Sequence, residues 1–392
     1  MRNLFLIISF LLLTDFSVTF SQQGSGPEVY LLTCGQGSET YSIYGHSALR
    51  IVNRPEKSDI VYNWGVFDFN TSNFAWKFAR GRLDYMLGVE SMQDFLKVYI
   101  YEKRFVHSQR INLTADEAEQ LISLVNENLK PGNIKYRYDF FYDDCSTRIR
   151  DLIEKSVGEK LLYLPADGGK KMPTFRNLVG KYQNPYPWLK FGVDLIMGSP
   201  GDKKAQYRDR MFLPVELQKE LSETVINRDG KMIPLLRNPD PILDYNLPGT
   251  KQKFFLIPGF VFTLILVIIL ILSSLIKSRK IINSMDILIF SVFSILSVLM
   301  IFFNFFTDHQ QMRWNLNIIW LNPLIPVCLV ALILSARTVL WFRFLFYILV
   351  AFLFLHLVLP QSFNIAILPL LLILIIRSSA RSGFRWNPHS IN

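Results

Sequence analysis

The chain has 392 residues, three cysteines and a formal net charge of +10, with its apolar residues concentrated beyond about residue 254. That length allows two domains, and three cysteines exclude a small disulfide-stapled scaffold. No segment reads as a nucleic-acid module, so the positive charge is assigned to helix-end lysines and arginines and to an acidic membrane surface.

In chain order, residues 1–21 read as a secretory leader. Arg2 supplies its charge, Leu4–Leu13 its apolar region, and Thr19 with Ser21 a small-residue cleavage pattern. Residues 22–250 form the expected exported domain. Strand-like runs occur at Glu28–Cys34, Ser47–Val52, Asp59–Phe67 and Arg104–Ile111. Thr114-Ala-Asp-Glu117 is a capping box, and Ala118, Leu121, Ile122, Val125 and Leu129 follow at helical spacing until Pro131-Gly132. A second helix is expected to begin near Cys145, with Ile149, Leu152 and Ile153 on one face. The Pro-, Gly- and aromatic-rich stretch from Leu161 to Asn246 reads as loops and short helices covering a cleft. Residues 251–392 form the expected membrane domain, with candidate spans at Phe254–Ile276, Asp286–Phe306, Leu316–Ser335, Thr338–Leu359 and Phe363–Ile376, against the roughly 20 residues a bilayer requires. With the first domain outside, the inner segments carry Lys277, Arg279, Lys280, Arg337, Arg377, Arg381 and Arg385. Arg313 is the clear exception among the outer loops, and the pattern obeys the positive-inside rule. The fold class expected is therefore an α+β exported domain followed by an all-α membrane domain of about five helices, multi-pass in the inner membrane.

Cys145 follows Asp143-Asp144, and aspartate is a favoured N-cap, so the thiol falls in a first helical turn where the dipole favours a thiolate. The competing reading is a small buried hydrophobe. His46 follows Gly45 and opens a strand, which suits a rigidly held general base; His107 reads as solvent-facing. His356 lies near the outer end of the fourth span, as a functional group or as an interfacial anchor. Asn63, on the next strand, is the foremost candidate to orient the imidazole, ahead of Asp68 and Tyr44. Arg148, one turn after Cys145, and Arg80 with Arg82 suit a lipid phosphate or a carboxylate, or alternatively surface ion pairs. Cys34 ends an apolar strand with no cap after it and reads as a packed thiol. Paired carboxylates, phosphate loops and metal-ligand spacings are absent, so no cofactor is expected.

Thr33-Cys-Gly-Gln-Gly, Tyr44-Gly-His-Ser-Ala-Leu-Arg50, Tyr62-Asn-Trp-Gly-Val-Phe-Asp68, Asp144-Cys-Ser-Thr-Arg148 and Met211-Phe-Leu-Pro214 together resemble the periplasmic domain of Lnb-type lipoprotein N-acyltransferases. The resemblance covers most of residues 28–220, and the multi-span tail is similar in kind. It implies a permuted NlpC-like, papain-like fold with His46 and Cys145 as the catalytic pair, a phospholipid as acyl donor and diacylated lipoproteins as acceptors. The family often has Asn where this chain has Asp144, which limits that side chain to capping. Two rival readings stay open: a membrane-anchored cysteine peptidase or amidase of the cell envelope, and a binding or sensory module in which Cys145 is structural.

Overall fold

A computed structural model describes residues 26–164, 172–245, 254–334 and 339–384. The leader at 1–21, the domain junction at 250, Arg337 and Arg385 lie outside those residues. The first strand, β1 (Glu28–Cys34), pairs antiparallel with β2 (His46–Asn53), which pairs with β3 (Ser58–Val66). A short helix α1 (Phe74–Ala79) leads to β4 (Asp84–Ser91), and α2 (Met92–Glu102) leads to β5 (Val106–Arg110). Then follow α3 (Ala115–Leu129), β6 (Lys135–Arg137), α4 (Cys145–Val157) and β7 (Leu161–Leu162). The covering stretch comprises α5 (Phe175–Gln183), α6 (Pro187–Ile196), α7 (Tyr207–Arg210) and α8 (Pro214–Glu223), then β8 (Val225–Arg228), β9 (Lys231–Pro234) and β10 (Asp240–Leu243).

Seven strands form one sheet in the order β10-β5-β1-β2-β3-β4-β6, and β7-β8-β9 form a small second sheet. Alternation along the central strands divides their side chains between two cores. Leu31, Leu49 and Ile51 pack under α3 and α4 with Leu121, Ile149 and Ile153, whereas Leu32, Ala48 and Val61 pack against Phe95 and Tyr99 of α2. A third cluster, rich in aromatics, joins Phe141, Phe175 and Phe212 beneath the covering helices.

The second domain is helical: α9 (Pro258–Leu275), α10 (Arg279–Phe305), α11 (Leu324–Ile333), α12 (Val339–Leu355) and α13 (Ile367–Arg381). Among the described residues, three segments are long and apolar enough to cross a membrane, Pro258–Leu275, Arg279–Phe305 and Leu316–Ile333, and Val339–Leu355 is a shorter apolar helix. Asp286 of α10 is fully buried and receives the guanidinium groups of Arg377 and Arg381 from α13. Arg377 also reaches Ser273 of α9 at 2.9 Å, so one charged cluster ties three helices at their inner ends.

The two domains meet at the outer ends of these helices. Asn315 and Asn317 donate to the Leu195 carbonyl of α6 at 2.8 and 3.0 Å, and Asn364 donates to Asp194 at 2.8 Å. Arg82 pairs with Asp308 at 2.7 Å, and the rings of Trp76 and Phe302 lie 5.4 Å apart.

Candidate active site

The site assembles where β2 and α4 begin side by side. Gly45 carries a φ of +83° and turns the chain into β2; a Cβ there would stand 2.6 Å from the Cys34 carbonyl oxygen. Only glycine supplies that backbone conformation without strain. His46 follows as the first residue of β2, opposite Cys34 on β1. At the start of α4, Asp144 closes a capping box: its Oδ1 accepts from the Thr147 N–H at 2.8 Å, and Thr147 Oγ1 accepts from the Asp144 N–H at 2.7 Å. Cys145 is therefore the first helical residue, as its neighbours predict. The hydroxyls of Ser47 and Ser146 lie 3.1 Å apart and hold the residue after the histidine against the residue after the cysteine.

His46 Nε2 lies 2.5 Å from Asn63 Oδ1, and Asn63 Nδ2 donates in turn to Glu90 at 3.3 Å. That second bond fixes which way the amide faces, so Nε2–H donates to Asn63 and the lone pair of the neutral ring is left on Nδ1. Burial lowers the His46 pKa to about 4, with the Asn63 bond offsetting part of that effect. Burial also raises the Cys145 thiol pKa, against which backbone N–H groups including that of Ser47 pull it down. The helix start thus moderates the thiol, yet burial outweighs it, contrary to the sequence expectation of a dipole-stabilised thiolate. Both shifts favour the neutral thiol and the neutral imidazole. Burial likewise raises the Asp144 carboxyl well above the usual carboxylate range.

Cys145, His46 and Asp144 line one cavity of about 620 Å³, a volume typical of a small-molecule site. One wall is aromatic, with Phe67, Phe69, Phe74 and Phe78 from the segment around α1 and Tyr85 and Tyr138 behind them. Val193, Ile196, Met197 and Phe212 also line the cavity. His309, Gln311 and Met312, from the loop after α10, complete it. Gln311 is buried, donates to Asp139 and accepts from the Gly198 N–H at 2.8 Å. Asp139 and Asp143 bond backbone to backbone in both directions, so the membrane-side loop grips the turn that delivers Cys145.

The structure brings together His46, Asn63 and Cys145. Arg148 stands elsewhere: its guanidinium forks onto Asp143 at 2.6 and 2.9 Å, reaches Asn128 at 3.2 Å and lies over the Tyr136 ring. These contacts with Asp143 and Asn128 fit the ion-pair reading of this arginine, and it does not line the cavity. Arg80 does not line the cavity either; it ends α1, with its guanidinium over Trp76. Tyr44 lines the cavity but its hydroxyl accepts from Gln183 at 2.7 Å, and Asp68 caps its own loop by accepting from the Asn70 N–H. Cys34 is fully buried, its thiol pushed up to about 12 by that burial. Glu90, Gln183 and Gln311 escaped sequence reasoning, since each arrives from a distant element.

The chain matches two family models in order along its length. The Lnb N-terminal periplasmic domain covers residues 19–179, and the Lnb transmembrane domain covers residues 250–384. No curated protein and no solved structure matches it. Together the two models span most of the chain, which belongs to the Lnb family of lipoprotein N-acyltransferases. It is a membrane protein with a periplasmic N-terminal domain and a role in lipoprotein N-acylation.

Proposed function

With family membership as premise, we propose that the protein moves an acyl chain from a phospholipid, through a thioester on Cys145, to the N-terminal amine of diacylated lipoproteins. It would do so from the inner membrane, as a multi-pass protein. One observation supports this reading above the others: the His46–Cys145 pair opens into a mostly apolar cavity whose wall is completed by the membrane domain. Each methylene buried there contributes about 0.8 kcal/mol, so a long acyl chain is recognised by its hydrocarbon alone. A Cys–His pair with an amide oriented on the far ring nitrogen is also the constellation of papain-like enzymes.

In the first half-reaction, His46 Nδ1 takes the Cys145 proton as the sulfur attacks the ester carbonyl. Backbone N–H groups at the start of α4 would receive the oxyanion. The C–O bond then breaks, the imidazolium returns its proton to the leaving lysophospholipid alkoxide, and an acyl thioester remains. In the second half, the lipoprotein α-amine attacks the thioester carbonyl, His46 accepts an amine proton, and the C–S bond breaks to leave an amide. The proton finally returns to Cys145. Asn63 keeps the ring in the productive tautomer throughout, and Arg148 acts by fixing the Asp143 turn.

The test is incubation of the purified protein with phospholipid, followed by mass spectrometry of Cys145. A hydroxylamine-sensitive acyl adduct is expected, absent in Cys145→Ala, with triacylated lipoprotein formed when a diacylated acceptor is added. Adduct-free protein that cleaves muropeptides would overturn the proposal in favour of an envelope peptidase.

A further inference from the structure

The aromatic wall of the cavity has a second aspect. Residues 67–83 form an arch that leaves the sheet after β3, carries α1 and returns into β4. Phe69 and Phe78 line the cavity, yet they are 66% and 52% exposed. Phe67, Phe69 and Phe74 form a continuous ring cluster, with centroids 4.8 to 5.9 Å apart. Large aromatics facing both a cavity and solvent are a poor solution for a protein wholly in water.

The arch rests on the membrane domain. Trp76 packs on Phe302 in the last outer turn of α10, and Asp308 N–H donates to the Arg80 carbonyl at 2.9 Å. His309 bonds the Phe78 carbonyl at 3.0 Å, and Arg82 is paired with Asp308. The aromatic wall of the cavity is thereby held at the outer end of α10. Tryptophan and phenylalanine beside Lys77, Arg80 and Arg82 have the composition of an interfacial membrane contact.

We propose that this arch is the acyl-chain entrance: it sits in the outer leaflet interface and takes the donor's hydrocarbon chain sideways, between α1 and the 309–312 loop, towards Cys145. The exposed faces of Phe69 and Phe78 meet lipid, and their cavity faces meet the bound chain. The occupant is one acyl chain of a phospholipid, argued from the contact of the aromatic wall with the outer end of α10 and from the apolar lining. This inference rests on the acyl-transfer reading, but it concerns where the chain lies and not what is done to it.

Photo-crosslinking of Cys145→Ala protein with a phosphatidylethanolamine carrying a terminal diazirine on one chain tests the position directly. Crosslinks are expected within residues 67–78 and 309–312; crosslinks confined to the faces of α9–α13 would overturn the proposal. Kinetics supply the second arm, because Phe69→Ser and Phe78→Ser alter half-exposed positions. Acylation of Cys145 by long-chain phospholipid should fall roughly ten- to a hundredfold, and acylation by soluble p-nitrophenyl acetate should fall by a much smaller factor. Equal losses with both donors would make the arch a structural support and refute the entrance, as would no loss with either. Arch crosslinks in a protein that never acylates Cys145 would instead sink the acyl-transfer reading and leave the lipid site standing.

Discussion

At Cys145 and His46 burial works against charge, and that decides how the pair operates. A preformed thiolate–imidazolium pair would place two ions in an apolar cavity, at a desolvation cost that the start of α4 offsets only in part. On the proposed mechanism, a neutral pair avoids that cost and would ionise only as the sulfur attacks. The consequence is visible in pH. His46 titrates near 4, below the usual 6.5 or so of the free side chain, so the acid limb of kcat/KM should fall near 4. The stability linkage has the same sign. Between those values the unfolded chain binds a proton that the folded chain does not, so this contribution is complete above about 6.5 and is lost as pH falls through about 4. Replacing Asn63 by Asp sets a carboxylate on Nε2, which favours imidazolium, and should move the limb up towards neutral pH. Asn63→Ala should lower kcat on the order of a hundredfold by freeing the ring, with iodoacetamide labelling of Cys145 showing that the cavity persists. A limb unmoved by Asn63→Asp would remove the positioning role. His46, Asn63 and Cys145 were legible in the sequence because each sits against a local signal: a glycine turn, a strand, a cap. Glu90 and Gln183 carry no such signal, and only tertiary packing brings them to Asn63 and Tyr44.

Among the elements, the helices announced by caps were read almost to the residue. Thr114 and Glu117 bracket the start of α3 with a reciprocal pair of hydrogen bonds, and Asp144 with Thr147 does the same for α4. The strand β4 was not legible. Leu87 is its only buried side chain, and Gly88 lies under Val66, so the usual alternation is missing. The helix α2 went unread alongside it, although Ser91 caps it by accepting from Asp94 N–H. The Asp144 cap separates two jobs that one side chain performs. Its carboxyl is buried, and that burial raises it well above the ordinary carboxylate range, which favours the uncharged form, so an amide of the same shape should serve equally. Asp144→Asn is expected to retain the fold and most acyl transfer. Because a raised carboxyl gives stability that is full below its unfolded pKa and is lost as pH rises through the folded one, the variant should gain on the parent at alkaline pH. Asp144→Ala removes the cap and should cost about 1 kcal/mol, read by thermal unfolding in detergent. Loss of activity in Asp144→Asn with the melting temperature unchanged would show that the carboxyl takes part in the chemistry.

On the scale of the whole molecule, the membrane domain contributes His309, Gln311 and Met312 to the cavity wall. Hydropathy and charge counting found its apolar segments, yet they could not show that Arg377 and Arg381 turn inward to the buried Asp286. Periodicity records which face is apolar, not which single carboxylate on it finds a partner. Asp286→Ala would leave two guanidinium groups without their counter-ion, one of them buried, and should destabilise by about 3–5 kcal/mol, measured as a lowered melting temperature in detergent. On the proposed function, the contact that would couple this domain to the chemistry lies at the other end, where Gly198 meets the loop after α10. Its N–H donates to the Gln311 carbonyl, and a Cβ there would stand 2.0 Å from the Arg313 carbonyl oxygen. The neighbour is backbone, so it cannot swing aside as a side chain would. Gly198→Ala should therefore push the 309–313 loop away from α6 and loosen Gln311 on Asp139. Phospholipid-dependent acylation of Cys145 is expected to fall on the order of a hundredfold, the penalty of misplacing a wall by about 1 Å. Labelling of Cys145 by iodoacetamide, which needs only the periplasmic domain's own residues, should change little. A variant that acylates normally would mean that the membrane-side loop merely borders the cavity, and that the periplasmic domain shapes the site alone.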